Sequence, residues 1–257
     1  MEAALAKAQL SGVKAGMRRL AVPLTAPLLP GRIIANGGGL QRAGFLASRG
    51  MGVLVLINHF SLRDGFDTFR LLFAHPALRR LPMLAPAASH LIGRRLHLLA
   101  ALVAVELTPI TSAEAVANLG LPAESGENAL AYSQAAIARL GAGGLVLVAP
   151  QAGRRSCLEP PQRMRPVSLL LAQAQRKRVT DFCLLSVGLG LAGATSYSLE
   201  TTGGLNLGQR YELRVGEAYT FDEVVVLAGS VRQVESWIYG QLAGLVPAAY
   251  LCEEERR

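Results

Sequence analysis

Little of this 257-residue chain carries a charge or an aromatic ring: 17% of its residues are charged and 5% aromatic. With so few rings, no recognised nucleic-acid module and basic residues spread along the chain, a nucleic-acid partner is not expected. Three cysteines, at 157, 183 and 252, are odd in number and lack metal-ligand spacing. The expectation is reduced thiols in a cytoplasmic setting, with no disulfide framework. No apolar run approaches the roughly 20 residues of a spanning helix. The longest candidate, LHLLAALVAVEL, ends in Glu106, and no secretory signal fits an N-terminus carrying Glu2. Any membrane contact is expected to be monotopic.

Half of the residues, 51%, are apolar, mostly Ala, Leu and Val, and the net charge is +8. Arginine dominates that charge, in pairs at 18–19, 79–80, 94–95 and 154–155 and in the run Arg176-Lys177-Arg178. Guanidinium forks bind phosphate bidentately, so phosphorylated small molecules or anionic headgroups fit better than other partners.

Residues 1–30 read as a separate segment. Leu10, Val13, Met17 and Leu20 recur at helical spacing beside a basic stripe of Lys7, Lys14 and Arg18, before the proline-broken stretch AVPLTAPLLPG. Such a helix can lie in a bilayer interface or dock on the domain. Residues 31–257 read as one α/β domain of alternating strands and helices, with a mixed, mostly parallel sheet flanked by helices. Strands are expected at VLVLI (53–57), 81–86, 103–107, LVLVA (145–149), 182–189 and 211–219. Helices are expected near 64–73, over SHLIGRRLHLLAA, from Ser125 to Gly141 with Leu130, Ile137 and Leu140 near one face, over PVSLLLAQAQRKR, and from about Gly229 to Leu245.

Ligands in such folds collect at the carboxyl ends of strands, and two loops there carry chemistry. INHFSLRDGFD places His59 after a strand and Asp64 near the start of the next helix. From there the carboxylate can swing back to a ring nitrogen, fix the tautomer and leave the imidazole able to take a proton from a hydroxyl. Helix capping by Asp64 and strand-end packing by His59 explain the same spacing. The second loop, PQAGRRSC, offers a glycine and two guanidinium forks, or a basic turn without a ligand. His75, His90 and His97 lack metal partners and read as packing or surface residues. Ser156 and Ser186 lack a nucleophile elbow.

Together the two loops resemble the glycerolipid acyltransferase family, the bacterial 1-acyl-glycerol-3-phosphate acyltransferases in particular. Asn58, His59 and Asp64 match its Asn-His-x4-Asp block, and APQAGRRS (149–156) approximates its Phe-Pro-Glu-Gly-Thr-Arg-Ser block. LLSVGLGL, RYELRVGEAYTF and AGLVPAAY resemble later segments, so the likeness spans roughly 40–251. It implies an acyltransferase fold and an O-acyltransferase that moves a fatty acyl group from acyl-CoA or an acyl-carrier protein to a lysophospholipid or glycerol-phosphate hydroxyl. His59 would be the general base and Asp64 its orienting acid. Asn58, Gly153, Arg154, Arg155 and Ser156 would bind substrate, and backbone N–H groups of the His59 loop would hold the oxyanion. No metal or other cofactor is implied, and the setting would be the cytoplasmic face of a membrane. The sequence departs from the family where Gln151 and Ala152 replace a glutamate and where Thr108 and Pro109 stand in place of an arginine, for which Arg94 or Arg95 would substitute. A catalytically inactive lipid-binding relative is the alternative, and a metal-dependent phosphohydrolase the third.

Overall fold

The computed structural model describes residues 12–28, 30–36, 38–88, 100, 104–110, 125–151, 153–231 and 233–252. Lys7, Leu10, Ala152 and the expected helix carrying His90, Arg94, Arg95 and His97 lie outside them. The strands are β1 (Gly31–Asn36), β2 (Gly52–Ile57), β3 (Met83–Ala88), β4 (Val105–Ile110), β5 (Leu145–Val148), β6 (Phe182–Leu191) and β7 (Tyr211–Thr220). They form one sheet in the order β1-β7-β6-β2-β5-β3-β4. Strands β2 to β6 are mutually parallel, β7 runs antiparallel to β6, and β1 follows β7 in parallel.

The described helices are α1 (Gly12–Thr25), α2 (Gly39–Ser48), α3 (Asp64–Ala74), α4 (Ser125–Gly141), α5 (Arg165–Arg176), α6 (Phe221–Ala228) and α7 (Val234–Ala243). β2 and β5 are continuous apolar runs because both faces of the sheet are covered, and every residue in them is buried. The connections from β2 to β3 and from β5 to β6 run in opposite directions across the sheet. In open α/β sheets, ligands bind outside the carboxyl ends of the strands where the connections reverse in this way.

Four expectations are corrected. Arg18 is not part of an exposed basic stripe: it is wholly buried and donates to the carbonyls of Arg79, Leu81 and Ala104, with its guanidinium 4.6 Å from the Phe73 ring centre. Val13, Leu20 and Leu24 face outward on α1 beside Lys14 and Arg19, and the helix runs through Pro23 to Thr25. On α4, Ile137 and Leu140 are buried but Leu130 is exposed.

The expected helix from about Gly229 to Leu245 is α7, which starts only at Val234, and a separate helix that was not expected, α6, precedes it. α6 starts with a capping box, in which the Thr220 hydroxyl accepts from the Glu223 N–H and the Glu223 carboxylate accepts from the Thr220 N–H. It stops at Gly229, whose φ of 77° suits a residue without Cβ. Finally, Cys157 and Cys252 form a disulfide, and only Cys183 is a free thiol. The two half-cystines are 95 residues apart, so no local spacing announced them.

His75, at the end of α3, fills the space beside Gly44 of α2, where an added Cβ would lie 1.9 Å from its ring. Burial, aided by the Arg79 charge, lowers its pKa below the ordinary 6.5. The unfolded chain therefore binds this proton more tightly than the folded one, and the folded state loses stability as pH falls below 6.5. Urea unfolding from pH 8 to 5 should show that loss shrinking in His75→Gln. Identical slopes in the two proteins would reject the assignment.

Candidate active site

His59 is the second residue past the end of β2, and its Nδ1 lies 3.0 Å from Asp64 Oδ2. The carboxylate is fully buried, while the imidazole side chain keeps 28% of its surface exposed. Asp64 Oδ2 also accepts from the backbone N–H of Phe60 (2.7 Å) and Ser61 (2.8 Å), and Oδ1 accepts from the Ser61 hydroxyl (2.8 Å). Four donors thus converge on one carboxylate at the first residue of α3, where a helix N-terminus also favours negative charge. The tight turn from β2 into α3 is the cause: the loop wraps its own N–H groups around the acid.

With Asp64 accepting at Nδ1, the ring proton sits on Nδ1 and Nε2 carries the lone pair. Capping and orientation are therefore the same contact here. The chain of donors extends further. The Ser61 oxygen lies 2.6 Å from the Tyr211 hydroxyl, which accepts from the Asn206 amide at 3.1 Å. Burial, and next the Asp64 charge, raise the Tyr211 pKa, so its hydroxyl remains a proton donor at neutral pH. Phe60 packs against Tyr211, Tyr197 and Tyr250, with ring centres 5.5, 4.8 and 5.7 Å away. That aromatic cluster anchors the residue next to His59.

The second loop, after β5, is stitched to the first. The Arg155 N–H donates to the His59 carbonyl at 2.8 Å, and the Tyr250 hydroxyl reaches the carbonyls of both His59 (3.3 Å) and Arg155 (3.2 Å). Gly203, in the β6–β7 connection, accepts from the Leu62 N–H and from the Arg154 guanidinium. Three loops therefore meet around His59.

No family model matches this chain, and no curated protein matches it.

The expected substrate-binding residues fall into two groups. Asn58 is fully buried and its amide is engaged at both ends, donating to the Leu189 carbonyl and accepting from the Leu189 N–H. It ties the end of β2 to β6. Gly153 faces open space, with nothing within 4 Å of an added Cβ, and Ser156 is exposed. Arg154 and Arg155 are half-buried, the latter paired with Glu159 at 3.0 Å.

One expectation meets a physical obstacle. The N–H groups of Phe60, Ser61, Leu62 and Arg63 donate to Asp64, Asp64, Gly203 and the Ser61 oxygen respectively, so they are not free for an oxyanion. Ser61, Tyr211, Tyr250 and Arg63 were not foreseen as site residues. A groove of about 550 Å³ lined by Arg19, Phe73 and Arg79 lies at the opposite end of α3, an 11-residue helix whose first residue is Asp64.

Proposed function

We propose that the chain is an O-acyltransferase of the glycerolipid acyltransferase type, acting on an acyl thioester and an alcohol of lysophospholipid or glycerol-phosphate character. The contact that carries this reading is His59 Nδ1 on a buried carboxylate at the mouth of the sheet. His59 Nε2 takes the proton of the acceptor hydroxyl, and the oxygen attacks the thioester carbonyl. As the tetrahedral adduct collapses, the C–S bond breaks and the imidazolium returns its proton to the departing thiolate. Ester and free thiol are the products. Asp64 holds the ring and stabilises the imidazolium, and general-base help of the kind His59 would give contributes roughly 10²–10⁴ in rate. The oxyanion needs donors from outside residues 60–63.

Arg154 and Arg155, beside His59, suit an acceptor phosphate. A peripheral membrane setting is supported by exposed leucines at 20, 24 and 28 and at 199, 205 and 207, with Gly208 N–H bonded to the Leu28 carbonyl between the two sets. The inactive lipid-binding alternative draws on the internal partners that both arginines already have. Purified protein incubated with acyl-CoA, anionic vesicles and a panel of lysophospholipids and glycerol phosphate decides between them. Thiol release that requires both acceptor and His59 supports transfer, together with sedimentation on the vesicles. Vesicle binding without thiol release for any acceptor supports the lipid-binding reading, and equal turnover by His59→Gln removes the base.

A further inference from the structure

The C-terminal residues Tyr250–Cys252 lie across both loops of the site. Leu158 donates its N–H to the Tyr250 carbonyl at 2.7 Å and forms a short parallel bridge with Leu251. The Tyr250 hydroxyl contacts the carbonyls of His59 and Arg155. Next to these contacts, Cys252 is bonded to Cys157, which lies two residues after Arg155. This strap is thus joined to the arginine loop covalently and to the histidine loop by one hydroxyl.

We propose that Cys157 and Cys252 are a redox-active pair, opened by a dithiol reductant, whose closure sets the register of the arginine loop against the histidine loop. Three observations support exchange rather than a passive staple. Both half-cystines are half-buried rather than sealed in the core, so an attacking thiolate can reach them. The core that joins β2, β5 and β6 closes without them. The only other thiol among the described residues, Cys183, is buried in β6, where desolvation pushes it up to about 12 and keeps it out of exchange.

The chemistry balances. A donor thiolate attacks one sulfur and forms a mixed disulfide, and the donor's second thiolate then displaces the protein thiol. Cys157 and Cys252 gain two electrons and two protons, and the donor leaves as a disulfide. Once the bond is open, the strap keeps its hydrogen bonds to Leu158, His59 and Arg155 but loses its covalent tie, and the two loops gain freedom relative to each other.

The test uses the full chain equilibrated over a series of dithiothreitol redox buffers. Mass spectrometry after thiol alkylation should show two thiols appearing together, with Cys183 unchanged. Hydrogen exchange should then quicken at the amides of Phe60, Ser61, Arg155 and Leu158 while β2, β5 and β6 stay protected. Cys157→Ser and Cys252→Ser should each reproduce the reduced pattern in oxidising buffer, and Cys183→Ala should retain the wild-type response. These readouts do not depend on catalysis. The consequence for activity rests on the acyl-transfer reading: reduction should raise the acceptor KM about tenfold, within the usual range of coupling between sites. Free thiols at every potential, unchanged exchange at those four amides, or melting of the whole sheet on reduction would each overturn the proposal. Quickened loop exchange without acyl transfer would keep the switch and sink the enzymatic reading instead.

Discussion

Asp64→Asn is expected to lower kcat for acyl transfer roughly 10²–10⁴-fold, leave the acceptor KM near its original value, and cost about 1–3 kcal/mol of stability. The reason lies in which atoms face the carboxylate. Its Oδ2 accepts from the backbone N–H of Phe60 and Ser61 as well as from His59. An asparagine must therefore put its oxygen there, because an NH₂ group would meet two fixed donors. The amide nitrogen then takes the Oδ1 place and donates to the Ser61 oxygen, whose hydroxyl turns toward Tyr211 at 2.6 Å. The ring keeps its tautomer and its place, and only the charge that stabilises the imidazolium is removed. Asp64→Ala, by contrast, strands the two N–H groups and the Ser61 hydroxyl, so it should lose both activity and substantially more stability. Thiol-release kinetics and urea unfolding on the same preparations separate the two effects. An unchanged kcat in Asp64→Asn would mean that the Asp64 charge does not stabilise an imidazolium in the transition state.

What was legible in the sequence is what a short stretch of chain decides by itself. β2, its loop and α3 lie within 23 residues, 52–74, and the run VLVLI followed by Asn-His and Asp is enough to place them. Strands β5 and β6, which flank β2 on either side, were equally plain, being largely apolar runs in a sheet covered on both faces. β1 and α2 went unread because Gly31–Asn36 is an edge strand with only two consecutive bulky residues, Ile33 and Ile34, both exposed. α6, which was not expected, does have a local sign, Thr-Phe-Asp-Glu ahead of an apolar run with Gly229 beyond it.

The rest of the site has no local sign. Tyr211 and Tyr250 reach Ser61 and His59 from 150 and 191 residues away, and Cys157 meets Cys252 only because Tyr250 and Leu251 bridge to Leu158. Arg18 looked like a member of a surface stripe because the carbonyls that draw it inward belong to residues 79, 81 and 104. Spacing along a helix cannot report a partner that another part of the chain supplies.

Arg63→Ala is expected to cost about 3–5 kcal/mol, a large share of the roughly 5–15 kcal/mol that holds a typical domain together. Arg63 is fully buried one residue before Asp64 and was not singled out by any motif. Its Nε donates to Asp67 at 2.5 Å, and its terminal nitrogens reach the carbonyls of Pro30, Asn206 and Gln209. Its guanidinium also lies 4.1 Å from the Tyr211 ring centre. Truncation leaves three carbonyls without this donor and a buried carboxylate with Arg70, 3.2 Å away, as its remaining cation. The exposed pair Arg42–Glu223 supplies the contrast, since Arg42→Ala should cost under about 1 kcal/mol.

pH identifies the mechanism behind the larger loss. Desolvation already raises the Asp67 pKa against the opposing pull of Arg63 and Arg70, and removing Arg63 raises it further. The folded variant then holds a proton that the unfolded chain releases, so its stability falls as pH rises through that range. The deficit of Arg63→Ala relative to wild type should therefore be smaller at pH 5 than at pH 8 in urea titrations. An equal deficit at both values would assign the loss to the three carbonyls and the Tyr211 contact, and not to the uncompensated acid. Because Asn206 both accepts from Arg63 and donates to the Tyr211 hydroxyl, the same substitution should also disturb the donors behind Asp64 and lower kcat.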